Sequence, residues 1–223
     1  MEFYKFEDEW DKFYAEGTYL MWVPGECLVQ FVAKEIERKK RKVERILDVG
    51  CGNGRHLVYL AKKGFNSYGI DISQKALQIL QNWLNQENLQ AELKKASVTE
   101  IPYPDEYFDV VVCLGILDHI LIKETKKGIQ EIERVLKSKG ILFLGLRSDR
   151  DTQCGKGKEI EEKTFLLPGD VEGNLPQHFF SLKEIKELLV KFEISDLECR
   201  ERLMGMDLSN IDSRWIITAQ KLM

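Results

Sequence analysis

Short apolar runs rich in β-branched residues alternate along the chain with longer segments whose apolar positions recur every three or four residues. The short runs predict β-strands and the longer segments predict amphipathic helices. The predicted strands are residues 45–49, 65–70, 89–93, 108–114, 141–146, 192–199 and 214–220. The predicted helices have their apolar faces within residues 57–61, 76–84, 129–136 and 185–189. This alternation predicts an α/β fold with a mostly parallel sheet and helices on both faces.

Several of these elements carry local signals. Ser73 stands where it can cap the second helix, and Ser181 with Glu184 forms a capping box before the last one. The run at residues 108–114 is apolar almost throughout, which is typical of a strand that helices cover on both faces. We therefore expect that strand in the centre of the sheet.

Two stretches fall outside the alternation. Residues 1–42 look helical and unusually aromatic, whereas residues 148–180 are Gly-rich and polar. We expect a single domain over residues 1–223, in which a cofactor-binding core, residues 43–147, carries a helical N-terminal cap and this insertion. Residues 181–223 would add a C-terminal helix and strands. Because long ordered insertions are more often functional than idle, both stretches are candidates for shaping a substrate pocket.

The composition is that of an ordinary folded protein, with 43% hydrophobic and 31% charged residues. The net charge of -4 gives no overall field that would attract nucleic acid or an anionic membrane, so we expect neither as a partner.

Five widely spaced cysteines without a C-x-x-C pair favour free thiols in a reducing cytoplasm. Residues 1–8 lack the apolar core of a signal peptide, and no apolar run approaches the roughly 20 residues of a membrane span. We expect a cytoplasmic monomer or homodimer.

A glycine-rich turn lies between the first predicted strand and the first predicted helix. Gly50, Gly52 and Gly54 let the backbone bend tightly and approach a ligand, and the helix N-terminus that follows favours a carboxylate or a phosphate. Asp71 ends the neighbouring strand, where a carboxylate can accept hydrogen bonds from both hydroxyls of a ribose. Together they predict a nucleoside ligand. The alternatives are a merely structural turn and a capping role for Asp71.

These motifs resemble the class I S-adenosylmethionine-dependent methyltransferases. Residues 46–54 are similar to the first motif of that family, and Asp71 to its ribose-binding acid. Residues 101–109 and 134–137 are similar to the family segments before the fourth and fifth strands, so the resemblance covers about residues 43–147. It implies a Rossmann-like sheet of seven strands with the last one antiparallel. The nearest groups are small-molecule methyltransferases of the type 11 and tellurite-resistance-like kinds.

The resemblance also implies a cofactor, S-adenosylmethionine, and a product, S-adenosylhomocysteine. It assigns the methionine end to the glycine turn, the ribose to Asp71, and the adenine to Ile72, Ser97 and Val98. Many relatives carry an aspartate where this chain has Ser97. The full set of expected cofactor-binding residues is Asp48, Gly50, Cys51, Gly52, Gly54, Asp71, Ile72, Ser97, Val98 and Leu114.

Methyl transfer is an in-line displacement, so the protein mainly supplies alignment, with a base where the acceptor must lose a proton. Asp118 and His119 follow the fourth strand at the edge where such bases stand, and His178 could face the acceptor from the insertion. For each of them a structural or solvated role is the alternative. The three histidines share no metal-ligand spacing, so we expect no metal.

Four further residues are candidates for contacts with the acceptor. Tyr14, Tyr19 and Trp22 could form a lid that excludes water and stacks on the acceptor. Helix packing is the alternative, because Trp10, Phe13 and Tyr14 stand at i, i+3 and i+4. Arg147, where the fifth strand ends, could bind an anionic acceptor or could simply be solvated.

We expect a small-molecule acceptor, because the chain lacks both the Asn/Asp-Pro-Pro-Tyr/Phe motif and the Pro-Cys motif of other methyltransferases. Three alternatives stay open. The acceptor could be RNA or protein, or the chain could be a non-catalytic cofactor-binding partner subunit. A nicotinamide-dependent oxidoreductase also pairs a glycine turn with an acid, but its third glycine stands one position later.

Overall fold

The computed structural model describes residues 6–169 and 172–223. Its strands are β1 (Arg45–Val49), β2 (Asn66–Asp71), β3 (Glu92–Lys95), β4 (Phe108–Leu114), β5 (Leu136–Arg147), β6 (Lys158–Glu161), β7 (Thr164–Leu166), β8 (Gln177–His178), β9 (Phe192–Met204) and β10 (Asn210–Lys221). Seven of them form one sheet in the order β3-β2-β1-β4-β5-β10-β9, and β6, β7 and β8 form a small second sheet.

The pairing of the large sheet is mostly parallel. β1 pairs in parallel with β2 and β4, and the parallel pairing continues outward to β3 and β5. β10 runs antiparallel to both of its neighbours, β5 and β9. The predicted Rossmann-like sheet with an antiparallel last strand is therefore confirmed. Because β1, β2 and β4 are parallel neighbours, their carboxyl ends lie side by side.

The helices are α1 (Glu7–Glu16), α2 (Glu26–Phe31), α3 (Arg55–Lys62), α4 (Gln74–Gln86), α5 (Ile122–Val135) and α6 (Leu182–Leu188). A π-helical segment, Val32–Glu37, continues α2, and a 3-10 turn, Leu117–His119, follows β4. No helix among the described residues is long and apolar enough to span a membrane.

Helices cover both faces of the sheet, as the apolar pattern predicted. α5 and α6 share one buried cluster with Leu47 of β1, whereas α2 and α3 share another with its neighbour Ile46. Successive residues of a strand point to opposite faces, so the two clusters lie on the two sides of the sheet. In the second cluster Phe31 stacks on Phe143 of β5, with ring centroids 4.3 Å apart.

Several boundaries differ from the prediction. β5 begins at Leu136 instead of residue 141, because Leu136 is buried, extended and paired with Phe108. Between the pairs that Leu136 and Ile141 make, the register with β4 shifts, so residues 137–140 bulge where α5 was expected to end. β3 begins at Glu92 instead of residue 89, because the Leu89 amide still bonds to Leu84 at the end of α4.

The two stretches outside the alternation contain regular structure. α1, α2 and the π-helical segment lie in the N-terminal stretch, and the insertion holds β6, β7 and β8, which the apolar pattern did not predict. Residues 1–5 of the expected cap and residues 170–171 of the expected insertion lie outside the described residues.

Candidate active site

The turn between β1 and α3 depends on its glycines. Gly50, Gly52 and Gly54 have φ angles of 67°, 53° and 96°, a left-handed conformation that other residues adopt at a cost. A Cβ atom on Gly52 would also overlap the hydroxyl of Tyr14, and one on Gly50 would overlap the side chain of Ile116. The turn therefore has this shape because glycines occupy these positions, and Tyr14 lies directly against it.

Asp71, the last residue of β2, contacts this turn. Its Oδ2 atom accepts a hydrogen bond of 2.8 Å from the Gly52 amide, and its Oδ1 atom accepts one of 2.8 Å from the Ser73 amide. Burial raises the pKa of Asp71 to about 6, although these amide donors oppose the rise. The parallel pairing of β1 and β2 thus brings an acid into bonding contact with the glycine turn.

Asp48, at the end of β1, is a second buried acid at this place. Burial raises the pKa of Asp48 to about 8, and the charge of Arg55 opposes this rise. Its Oδ2 atom has no hydrogen-bond partner within the described part of the chain. A buried carboxyl oxygen without a partner costs free energy, so this site favours a ligand that brings a positively charged donor.

The expected adenine residues lie on the loop after β3. The Ser97 hydroxyl contacts the Thr99 hydroxyl at 2.9 Å and accepts a hydrogen bond from the Thr99 amide at 3.2 Å. Val98 is buried, and the Ala96 amide donates to the Asp71 carbonyl at 3.0 Å. This hydrogen bond ties the loop to the end of β2.

Helix α1 lies across this edge of the sheet. Its Asp11 carboxylate accepts hydrogen bonds from the Ser73 hydroxyl at 2.5 Å and from the Lys75 amide at 3.0 Å, at the start of α4. Its Glu7 pairs with Lys95 at the end of β3. The helix therefore forms a roof over the ends of β2 and β3, next to the glycine turn.

Three aromatic side chains of α1 pack with one from the loop after it, with ring centroids 5.2 to 6.4 Å apart: Trp10, Phe13, Tyr14 and Tyr19. We call them the aromatic cluster. At one end Tyr14 reaches Gly52, and at the other the ring of Trp10 lies 5.5 Å from that of His119. Burial raises the pKa of Tyr14 and of Tyr19, so both hydroxyls stay protonated hydrogen-bond donors.

Asp118 and His119 stand at the end of β4. The Asp118 Oδ1 atom accepts a 2.8 Å hydrogen bond from the Arg147 amide, and burial raises the pKa of Asp118. The His119 Nδ1 atom lies 3.2 Å from the carbonyl oxygen of Pro176. Since a carbonyl oxygen can only accept, Nδ1 must carry the proton in this contact. In the neutral ring the Nε2 atom then has a free lone pair.

A buried ionic group completes this side of the site. The Glu172 carboxylate accepts a hydrogen bond from the Tyr19 hydroxyl, and its Oε2 atom lies 3.4 Å from Arg147 Nη2 and 3.7 Å from His119 Nε2. Glu172 and Arg147 are 5% and 7% exposed, so water screens their charges poorly. Sequence reasoning missed Glu172, because one acid in a polar insertion carries no signal of the side chains it will meet.

Known proteins share both the sequence and the fold. A family model described as a methyltransferase domain matches residues 47–144. A ubiquinone biosynthesis O-methyltransferase of Rickettsia akari is 26% identical over 74% of this chain and 69% of its own. A solved methyltransferase of Methanosarcina mazei, described as SAM-dependent, superposes with a TM-score of 0.74 and 28% identity over 85% of this chain and 98% of its own.

This chain therefore contains a methyltransferase domain with the fold of the class I S-adenosylmethionine-dependent methyltransferases. Its fold is shared by TehB of Haemophilus influenzae, at a TM-score of 0.68 and 15% identity over 95% of this chain and 67% of that one. The chain spans 58% to 69% of the length of the first curated relatives that it matches.

The site of this methyltransferase fits its cofactor. S-adenosylmethionine carries an ammonium group, a carboxylate and a ribose diol. The unpartnered Oδ2 atom of Asp48 suits the ammonium group, and the left-handed glycine turn presents backbone without side chains to the methionine end. The carboxylate of Asp71 stands at the turn with acceptor capacity for the ribose hydroxyls.

Two expected residues of the methyltransferase lie apart from the aromatic cluster. Trp22 is 51% exposed and packs edge-on against Trp83, with ring centroids 4.9 Å apart. His178 belongs to β8, where its Nδ1 atom contacts the Thr164 hydroxyl at 2.7 Å and its Nε2 atom lies 3.4 Å from Glu184. Burial lowers the pKa of His178. Roles for these two residues in binding or catalysis stay predictions.

Proposed function

We propose that this methyltransferase transfers the methyl group of S-adenosylmethionine to a small-molecule acceptor. The observation that carries the proposal is one continuous path of contacts. It runs from Asp71 and the glycine turn through the aromatic cluster to His119 and the Glu172–Arg147 pair. A site roofed by packed aromatic rings suits a small planar acceptor. The name of the Rickettsia relative, an O-methyltransferase of ubiquinone biosynthesis, supports the same class of acceptor.

The cofactor supplies a methyl group that its sulfonium already activates, so the protein has to align and shield the two reactants. Asp71 and Asp48 would hold the two ends of the cofactor. The aromatic cluster would cover the reacting atoms and exclude water, which could otherwise compete with the acceptor. Tyr14, which lies against Gly52, would be the member nearest to the cofactor.

His119 is the group that we propose as the base. The Nδ1 atom of His119 donates its proton to the Pro176 carbonyl, which leaves the lone pair of the neutral ring on Nε2. The Nε2 atom lies 3.7 Å from the Glu172 carboxylate, which also accepts the hydrogen bond of Tyr19. From there it could take the proton of an acceptor hydroxyl as the oxygen attacks the methyl group. Asp118 would act as a positioning residue, because its carboxylate binds the backbone of Arg147.

The binding half of the proposal is tested by calorimetric titration with S-adenosylmethionine, S-adenosylhomocysteine and NADH. We expect the first two to bind and NADH to fail. Asp71→Asn should weaken cofactor binding about tenfold to a hundredfold, the usual loss when a charged acceptor is removed. Glu92→Gln, which removes an exposed acid on β3, should bind like the native chain. A folded protein that binds neither sulfur compound would disprove the proposal.

The catalytic half is tested by following S-adenosylhomocysteine release with separate fractions of small metabolites, RNA and protein. We expect turnover with the metabolites, independent of salt, since binding to a phosphate backbone would weaken steeply as salt rises. His119→Gln should lower the rate about a hundredfold or more at unchanged cofactor affinity. Turnover with RNA or protein alone would assign another acceptor, and turnover with none would favour a partner subunit.

A further inference from the structure

A cavity of about 640 Å³ opens between the insertion and the β9–β10 hairpin. This volume is typical of a site for a small ligand. Among the described residues, the charged side chains that line it are Arg147, Lys156, Arg202, Arg214, Asp151 and Asp212. Basic groups therefore outnumber acidic ones by four to two in this lining.

Both acids of the lining are already engaged. The Asp151 carboxylate accepts hydrogen bonds from the backbone amides of Gln153, at 2.8 Å, and Ser213, at 3.2 Å. The Asp212 carboxylate pairs with Arg202 at 3.3 Å and with Arg214 at 3.1 Å. The described lining thus carries four basic and two acidic side chains, while Arg147 also faces Glu172 and Arg214 lies 3.9 Å from Asp118. An anion that displaces one of these outer acids would meet a net positive lining.

Arg147 links this cavity to the reaction region. Its Nη1 atom donates to Gln153 at 2.7 Å, and its Nη2 atom lies 3.4 Å from Glu172 Oε2. Its Nε atom is buried and has no hydrogen-bond partner within the described residues. Glu172 in turn contacts Tyr19 and His119, the groups next to the proposed site of methyl transfer.

The contact between Glu172 and Arg147 is incomplete. A guanidinium binds a carboxylate best through two parallel hydrogen bonds, and the Nε and Nη2 atoms form one edge that can do so. Here Nη2 makes a single long contact and Nε makes none. A carboxylate that used both atoms would bind more strongly than Glu172 does, and Glu172 would then leave Arg147.

We propose that this cavity binds a carboxylate group of the methyl acceptor, and that Glu172 is the internal carboxylate which the acceptor displaces from Arg147. The proposal rests on the proposed function and names its substrate class: a small planar carboxylic acid. Arg147, which lines the cavity, anchors the acid group, and the rest of the molecule extends past Glu172 toward Tyr19 and His119, which do not line the cavity. Neutral analogues would bind weakly, because they would leave the contact of Glu172 with Arg147 in place.

The test uses benzoate and its neutral isostere benzamide as probes, titrated calorimetrically into protein saturated with S-adenosylhomocysteine. Glu172→Gln removes the competing charge, so benzoate should bind about tenfold more tightly than to the native chain, with benzamide unchanged. Glu162→Gln removes an exposed acid of the same insertion and should change neither probe. Arg147→Gln should weaken benzoate about tenfold, whereas Arg150→Gln, at an exposed position on the same segment, should not.

Binding of S-adenosylhomocysteine is measured first, which separates the two proposals. If the product binds but benzoate and benzamide behave alike, or if Glu172→Gln equals Glu162→Gln, the carboxylate site is wrong and the proposed function stands. If the product does not bind, the proposed function fails, and the benzoate titrations of the cofactor-free variants still decide whether Arg147 and Glu172 compete for a carboxylate. If Arg147→Gln does not fold, the Glu172→Gln pair decides alone.

Discussion

Asp48 and Asp71 lie near the carboxyl ends of neighbouring parallel strands, yet their carboxyl groups meet different surroundings. Asp71 has a backbone amide on each oxygen, which stabilises its charged form against the effect of burial. The Oδ2 atom of Asp48 has no hydrogen-bond partner among the described residues, so few donors stabilise its charged form against the effect of burial. The pKa of Asp71 therefore rises to about 6 and that of Asp48 to about 8. The two acids would therefore suit different groups of the cofactor in the proposed site.

The raised pKa of Asp48 predicts how stability depends on pH. In the unfolded chain its carboxyl group loses its proton near pH 3.8, whereas the folded protein keeps it up to about pH 8. Between these values the folded state binds more protons, so the free energy of unfolding falls as pH rises. Asp48→Asn should remove this contribution and flatten the fall by up to about 1.4 kcal/mol per pH unit.

The measurement is urea unfolding of cofactor-free protein at several pH values from 5 to 8. Asp109→Asn is a suitable control, because burial there is outweighed by Lys137 and backbone amides that hold the pKa of Asp109 below its usual value. It should lower stability without changing the slope in this range. Parallel slopes for Asp48→Asn and the native chain would contradict the prediction.

Helix α3 has a left-handed glycine at each end, and the two have different surroundings. Gly54 precedes the helix with a φ of 96°, and a Cβ there would overlap the buried side chain of Leu80. Gly64 follows the helix with a φ of 83°, and a Cβ there would meet nothing within 4 Å. Position 54 therefore requires a glycine both for its left-handed backbone and for lack of space, whereas position 64 requires one only for its left-handed backbone.

Alanine substitutions at the two ends should separate these requirements. Gly64→Ala should cost about 1 kcal/mol of the free energy of unfolding, the usual cost of a left-handed residue with a side chain. Gly54→Ala should cost about 2–5 kcal/mol, since overpacking against Leu80 is added. Denaturant unfolding of both variants measures the difference. Equal losses would show that Leu80 moves away freely and that space is not limiting there.

Across the whole molecule, the two segments outside the sheet close the site from above. Tyr19 and Glu172 are 153 positions apart in sequence and share a hydrogen bond over the carboxyl ends of the strands. Asp11 fastens α1 to Ser73 and Lys75 at the start of α4, two and four residues after the proposed ribose-binding Asp71. Cofactor binding and the order of α1 should therefore be linked.

Hydrogen exchange with and without S-adenosylhomocysteine tests this linkage. A ligand at a hundred times its Kd stabilises the binding-competent state enough to slow exchange up to about a hundredfold. We expect the amides of Glu7–Glu16 and of residues 50–54 to be slowed. The tip of the β9–β10 hairpin, residues 205–209, should be unchanged. Unaltered exchange in α1 would mean that the roof is independent of the cofactor.

Much of this fold follows from local patterns in the sequence. Apolar periodicity predicted the elements of the large sheet, because each element must bury one stripe or one face whatever its neighbours are. Ser73 and the Ser181–Glu184 box cap their helices as expected, since capping depends on residues three positions apart. The glycine turn and Asp71 were recognisable because consecutive parallel strands end at one edge of the sheet.

The proposed acceptor side depends on contacts between residues that are distant in sequence. Tyr19 joins the aromatic cluster and Trp22 does not, although both belong to the same aromatic segment. Glu172 meets Tyr19 and Arg147 after the insertion folds back, and no spacing in the chain encodes that meeting. Local periodicity specifies which face of an element is buried, whereas the charge that a buried arginine meets depends on how whole segments pack. The sequence by itself therefore determines the methyltransferase fold and the glycine turn with Asp71, whereas the packing of α1 and the insertion over the sheet creates the proposed acceptor side.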